Sequence, residues 1–146
     1  MSQDPVTILM IEDDPGHARL IERNIRRAGV NNDIVPFASG NEAVAYLFGS
    51  EGVPALRTGS GYLILLDLNL PDMSGVEILR RLKEDAATRS IPVVVLTTTD
   101  ERTEIQRCYD LGCNAYITKP LNYESFSEAI RQLGLFLMVM QVPERT

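Results

Sequence analysis

The chain has 146 residues, 45% of them hydrophobic and 23% charged, with 20 acidic against 14 basic side chains and a net charge of −6. That length supports one substantial core and is short for two, so a single domain over 1–146 is expected. The acidic balance, with Arg26-Arg27 and Arg80-Arg81 as the only basic doublets, excludes a nucleic-acid binder that works by neutralising phosphates, and no apolar run approaches the roughly 20 residues of a membrane span.

Ile8-Leu-Met-Ile11 reads as a buried strand and runs into Glu12-Asp13-Asp14. A helix is expected from about Pro15 to Ala28, opened by proline and acids and closed by Gly29, with Ala18, Ile21, Ile25 and Ala28 as its inward stripe. A short strand follows around 34–38, then a helix over about 41–48 for which Ser39 and Glu42 form a capping-box pair. Residues 49–61, broken by four glycines and Pro54, carry no periodicity and read as a long surface loop. Tyr62-Leu-Ile-Leu-Leu66 is a continuous apolar run, the mark of a strand buried on both faces. It ends at Asp67, followed by Leu68-Asn69-Leu70-Pro71. Ser74 and Glu77 form a second capping box, opening a helix to about Asp85 with Val76, Leu79 and Leu82 inward.

Pro92 precedes the strand Val93-Val-Val-Leu96, where a missing N–H costs least, and that strand runs into Thr97-Thr98-Thr99. A fourth helix is expected from Asp100 to Leu111, stopped by Gly112. Cys108 and Cys113 have no second pair, so they make neither a zinc motif nor a disulfide framework and suit a reduced, cytoplasmic setting. Ala115-Tyr-Ile-Thr118 runs into Lys119-Pro120, and a fifth helix is expected from about Tyr123 to Met140. Five such βα units imply a parallel sheet with right-handed crossovers.

In such sheets ligands bind beyond the carboxyl ends of the strands. That rim would collect an acid cluster, Asp67 as a nucleophile candidate, the Thr97 hydroxyl and Lys119. Each has a plainer reading. The acids favour a helix start, Asp67 suits a turn before Pro71, Thr97 is an ordinary strand-end hydroxyl, and Lys119 a solvated charge. Their coincidence at equivalent strand ends favours a joint role. His17, the only histidine, reads as a surface residue of the first helix.

Glu12-Asp13, Asp67, Thr97 and Lys119-Pro120, each after its strand, resemble the five fixed positions of the response-regulator receiver domain over essentially the whole chain. More narrowly, Leu65-Leu66-Asp67-Leu68-Asn69-Leu70-Pro71, Ile91 to Thr98 and the tail Leu133 to Pro143 resemble the stand-alone receivers paired with phytochrome histidine kinases. The resemblance implies a flavodoxin-like (βα)5 three-layer sandwich with strand order 2-1-3-4-5. It implies a phosphoacceptor at Asp67 rather than an enzyme acting on a separate substrate. Mg²⁺ would be held directly by Asp13 and Asp67, by Glu12 through water and by the backbone carbonyl of Asn69. Charge arithmetic agrees, since two carboxylates ~4 Å apart repel by about 4 kcal/mol at an effective dielectric of 20 unless a cation intervenes.

The same resemblance gives Thr97 and Lys119 contacts to the phosphoryl group, and Thr97 and Tyr116 a switching role. It implies a histidine kinase partner, a bacteriophytochrome in particular, with onward transfer to a histidine phosphotransferase as one output, while the charge balance and the short apolar runs argue against nucleic acid and membrane as partners. Three positions colour the pattern: Asp14 adds charge where small polar residues are usual, Thr98 is bulkier than the customary Ala or Ser, and neither Asn69 nor Thr99 can act as a base toward a hydrolytic water. A haloacid-dehalogenase-like phosphohydrolase would want a second acid where Asn69 stands. A pseudo-receiver would usually have lost an acid or the lysine. With no output domain expected after the receiver, the all-round apolar stretch Leu133 to Met140, within a tail at about 133–146, is expected to build a homodimer through Phe136, Met138 and Met140.

Overall fold

The computed structural model describes residues 6–27, 29–49, 56, 61–119, 124, 128 and 131. Five strands, β1 (Thr7–Ile11), β2 (Ile34–Phe37), β3 (Tyr62–Leu66), β4 (Val93–Thr97) and β5 (Ala115–Thr118), form one sheet in the order 2-1-3-4-5. All four pairings are parallel, as the alternating pattern requires. Between them lie α1 (Pro15–Arg27), α2 (Gly40–Phe48), α3 (Gly75–Glu84) and α4 (Arg102–Leu111). The expected fifth helix, the apolar tail and most of the 49–61 loop lie outside the described residues, although Glu124, Glu128 and Arg131 are helical and exposed.

Alternation along the strands builds two cores. Tyr62, Ile64 and Leu66 of β3 join Leu9 and Ile11 of β1 against α2, α3 and Cys108 of α4, while Leu63 and Leu65 join Ile8 and Met10 against Ile21 and Ile25 of α1. All five β3 residues are buried, each contributing roughly 1.5–3 kcal/mol relative to exposure. The α3 stripe follows the expected register, with Ile78 also buried beside Val76, Leu79 and Leu82, while in α1 Ile21 and Ile25 are buried, Ala18 is half-buried and Ala28 lies outside the described residues.

The capping boxes form only in half. Ser39 Oγ accepts from Glu42 N at 3.2 Å, and the Glu42 carboxylate returns to the Ser39 hydroxyl at 3.5 Å and to Ala38 N at 3.0 Å rather than to the cap backbone N–H. Ser74 Oγ accepts from Val76 N at 3.2 Å, while Glu77 turns away to the Arg80 guanidinium, whose planar fork satisfies two carboxylate oxygens where the cap N–H would satisfy one.

The two sheet edges differ in how an outward donor is removed. The carbonyls of Asp33 and Phe37 accept from Ile8 N at 2.8 Å and Glu12 N at 3.0 Å, so by alternation the nitrogen of Pro36 in β2 points to the open side. At the other edge, Tyr116 N of β5 donates to the Tyr109 hydroxyl of α4 at 3.1 Å.

Candidate functional site

The parallel register carries β1, β3, β4 and β5 to a common end, with Ile11 beside Leu66, Leu66 beside Val95 and Thr97 beside Thr118. The ladder runs one step further: Asp67 N donates to Ile11 O at 3.0 Å and Lys119 N to Thr97 O at 2.6 Å. Backbone bonds therefore fix the first residue after β3 and after β5, and the side chains converge.

Glu12, Asp13 and Asp67 present carboxylate oxygens that all lie within 4.8 Å of one another. Asp67 Oδ1 accepts from the Thr97 hydroxyl at 2.8 Å and from Asn69 N at 3.0 Å, and Oδ2 from Lys119 Nζ at 3.1 Å. Lys119 Nζ also donates to Glu12 Oε1, and Glu12 Oε2 accepts from Asp14 N at 3.1 Å. Glu12, Asp67, Thr97 and Lys119 are buried. Burial pushes the Glu12 carboxyl up to about 7, against the pull of the Lys119 bond and charge. An all-oxygen cluster of three acids suits a hard divalent cation.

Asp14 serves as the cap of α1, its carboxylate accepting from His17 N at 3.0 Å and its carbonyl from Ala18 N at 2.9 Å. The acidic triplet thus divides, with two side chains in the cluster and one at the helix start. Asn69 is exposed, and its amide lies 3.1–3.3 Å from the hydroxyls of Thr97, Thr98 and Thr99. The Tyr116 hydroxyl donates to Thr99 O at 2.6 Å, and burial pushes that hydroxyl up to about 12.

Three contributors escaped the sequence reading. His17 is half-buried, with Nδ1 3.1 Å from Lys119 Nζ, and so belongs to the site rather than to a plain surface. Gly75, at the start of α3, packs so closely that a Cβ there would strike Asp67 O and come within 2.7 Å of Leu68 Cα. Asp72 reaches back to the start of α2, its two oxygens accepting from Gly40 N at 2.9 Å and Asn41 N at 2.7 Å. The only trace of these in the chain is a glycine at a helix start, where a better helix former would ordinarily stand.

Cys108 and Cys113 are free and buried, and burial raises both thiols, Cys108 to about 11. They are therefore poor nucleophiles and poor metal ligands. Among the described residues no second acid, histidine or cysteine group could hold a metal, and no helix is long and apolar enough to cross a membrane.

A parallel sheet of this order with acids, threonine and lysine at its carboxyl edge defines a receiver. The chain belongs to the response regulator receiver domain family of two-component systems, whose model matches residues 8–131. It is 65% identical to a receiver domain from Rhodospirillum rubrum, whose crystal structure superposes with a TM-score of 0.90 over 95% of this chain and 98% of that one. Rcp1 of Synechocystis is 30% identical over 92% of this chain and 90% of its own length. Its Mn(2+)-bound structure superposes with a TM-score of 0.83 over 96% of this chain and 100% of that one. The phosphorylated cyanobacterial phytochrome response regulator RcpA is 35% identical, with a TM-score of 0.82 over 94% of this chain and 97% of that one. Phytochrome-associated regulators are thus among its structural neighbours.

Proposed function

We propose that this protein accepts a phosphoryl group on Asp67 from a histidine kinase in the cytoplasm and signals through its receiver surface. The observation that carries this is the environment of Asp67: a buried carboxylate with a hydroxyl at 2.8 Å, an ammonium at 3.1 Å and two further acids in reach of a shared cation. In the transfer an Asp67 oxygen forms a bond to phosphorus. The bond from phosphorus to the donor, an imidazole nitrogen or the acyl oxygen of a small phosphodonor, breaks with its electron pair leaving on the donor.

Mg²⁺ is the cation we assign, held by Asp13 and Asp67 directly, Glu12 through water and the Asn69 carbonyl. It supplies charge neutralisation between the carboxylate and the incoming phosphoryl oxygens. Lys119 meets the charge of the bound phosphoryl group, and the Thr97 hydroxyl exchanges its bond to Asp67 for one to a phosphoryl oxygen. Drawing Thr97 inward vacates space beside Tyr116, whose hydroxyl already lies on the Thr99 carbonyl, and the two packings shift in population.

The likeness to RcpA and Rcp1 supports a phytochrome kinase as donor, with a histidine phosphotransferase as one onward acceptor. A two-fold dimer through the C-terminal segment would present two acceptors to a dimeric kinase. The phosphohydrolase alternative lacks its second acid, because Asn69 stands there and points its amide to three threonines.

The test is labelling with acetyl phosphate and Mg²⁺, beside a panel of labelled histidine kinases. Wild type takes label, and Asp67→Asn folds but takes none, since the amide is isosteric and a poor nucleophile. Equal labelling of the variant would remove Asp67 from the centre of the site, and steady release of inorganic phosphate from many turnovers would favour the hydrolase.

A further inference from the structure

A lysine ammonium has three hydrogens to give and accepts none, and three acceptors face that of Lys119. Two are carboxylates, Glu12 Oε1 and Asp67 Oδ2. The third is His17 Nδ1 at 3.1 Å, a ring nitrogen from α1. Lys119 is only 4% exposed, so bulk water is poorly placed to serve a hydrogen left over. For Nδ1 to accept, the ring proton must sit on Nε2. A bond to a neutral ring is weaker than one to a carboxylate, which makes it the bond most readily surrendered.

We propose that His17 is a positioning residue for Lys119: its neutral ring holds the third ammonium hydrogen until a phosphoryl oxygen takes it over, so the lysine reaches the phosphoryl group without first leaving both acids. The role rests on the phosphoacceptor reading of Asp67, where the positioned ammonium acts. Without this acceptor the ammonium settles between Glu12 and Asp67, and must be pulled from one of them as the transition state forms.

Two measurements test it. Because His17 is the only histidine, the ring-nitrogen NMR spectrum of the full chain has a single pair of signals. An unprotonated, hydrogen-bonded Nδ1 is expected whose signal moves when Lys119 is changed to Met, and an Nδ1 signal indifferent to that change would overturn the contact. In acetyl phosphate labelling at saturating Mg²⁺, His17→Phe, which keeps a ring but no acceptor, should lower the maximal rate about tenfold with the half-saturating donor concentration unchanged, and His17→Asn, whose Oδ1 replaces Nδ1, should restore it to within about twofold. His17→Phe at the wild-type rate, or His17→Asn as slow as His17→Phe, would overturn the role while leaving Asp67 as acceptor. A wild type that takes no label would overturn the phosphoacceptor reading and this role with it.

Discussion

Lys119 and Glu12, 107 residues apart in sequence, form an ion pair with both side chains only 2% exposed. The pair does not fully repay its burial, because the Glu12 carboxyl still rises from 4.5 to about 7.

Its consequence is a pH-dependent stability of the metal-free protein. Between pH 4.5 and about 7 the native state holds a proton on Glu12 that the unfolded chain has released. This contribution is complete below 4.5 and is lost as pH rises through 7, by at most about 1.4 kcal/mol per pH unit. Urea unfolding should show wild type losing stability across that window relative to Glu12→Gln. A divalent cation favours the ionised carboxylate, so Mg²⁺ should release a proton on binding and bind more tightly at pH 8 than at pH 6. Parallel pH profiles for the two proteins would refute the assignment.

Gly75→Ala should damage both fold and labelling. The added methyl meets the backbone of Asp67 and Leu68, which cannot rotate aside as a side-chain tip can. The expected loss is about 1–3 kcal/mol with slower acetyl phosphate labelling. A variant with unchanged unfolding midpoint and labelling rate would show that this approach has room to spare.

Asp72→Ala removes two charge-assisted bonds from the start of α2. Its carboxyl is held below 3.8 by the Gly40 and Asn41 amides, so its contribution is present above pH 3.8 and disappears as pH falls through the lowered value. At neutral pH the variant should melt a few degrees lower, and Asp72→Asn by less, because an amide oxygen still caps. The difference between wild type and Asp72→Ala should close in acid.

The strands that carry the site were readable because a strand buried on both faces shows as an unbroken apolar run, and the residue after each run is the rim residue. Asp67, Thr97 and Lys119 stand where β3, β4 and β5 place them for that reason. His17 and Asp72 were not readable in the same way. Each acts on a partner brought close only by the sheet crossovers, Lys119 in one case and Gly40 with Asn41 in the other. The Ser74–Glu77 capping box erred for a local reason, since the motif does not weigh the competing Arg80 for Glu77.

The C-terminal proposal has a direct measurement. Sedimentation at micromolar concentration should show a dimer for the full chain before phosphorylation and a monomer after deletion of residues 133–146, with Phe136→Glu weakening association. A full-length monomer, or a dimer indifferent to the deletion, would rule out that interface.

Pro36 and Tyr109 each remove one outward donor from an edge of the sheet. On the β2 side the outward nitrogen carries no hydrogen to offer, and on the β5 side the outward Tyr116 N–H is already taken by a tyrosine hydroxyl. Edge-to-edge polymerisation, the usual hazard of an open sheet, is therefore discouraged at both flanks. Recruitment of an extended peptide as a sixth strand is discouraged with it.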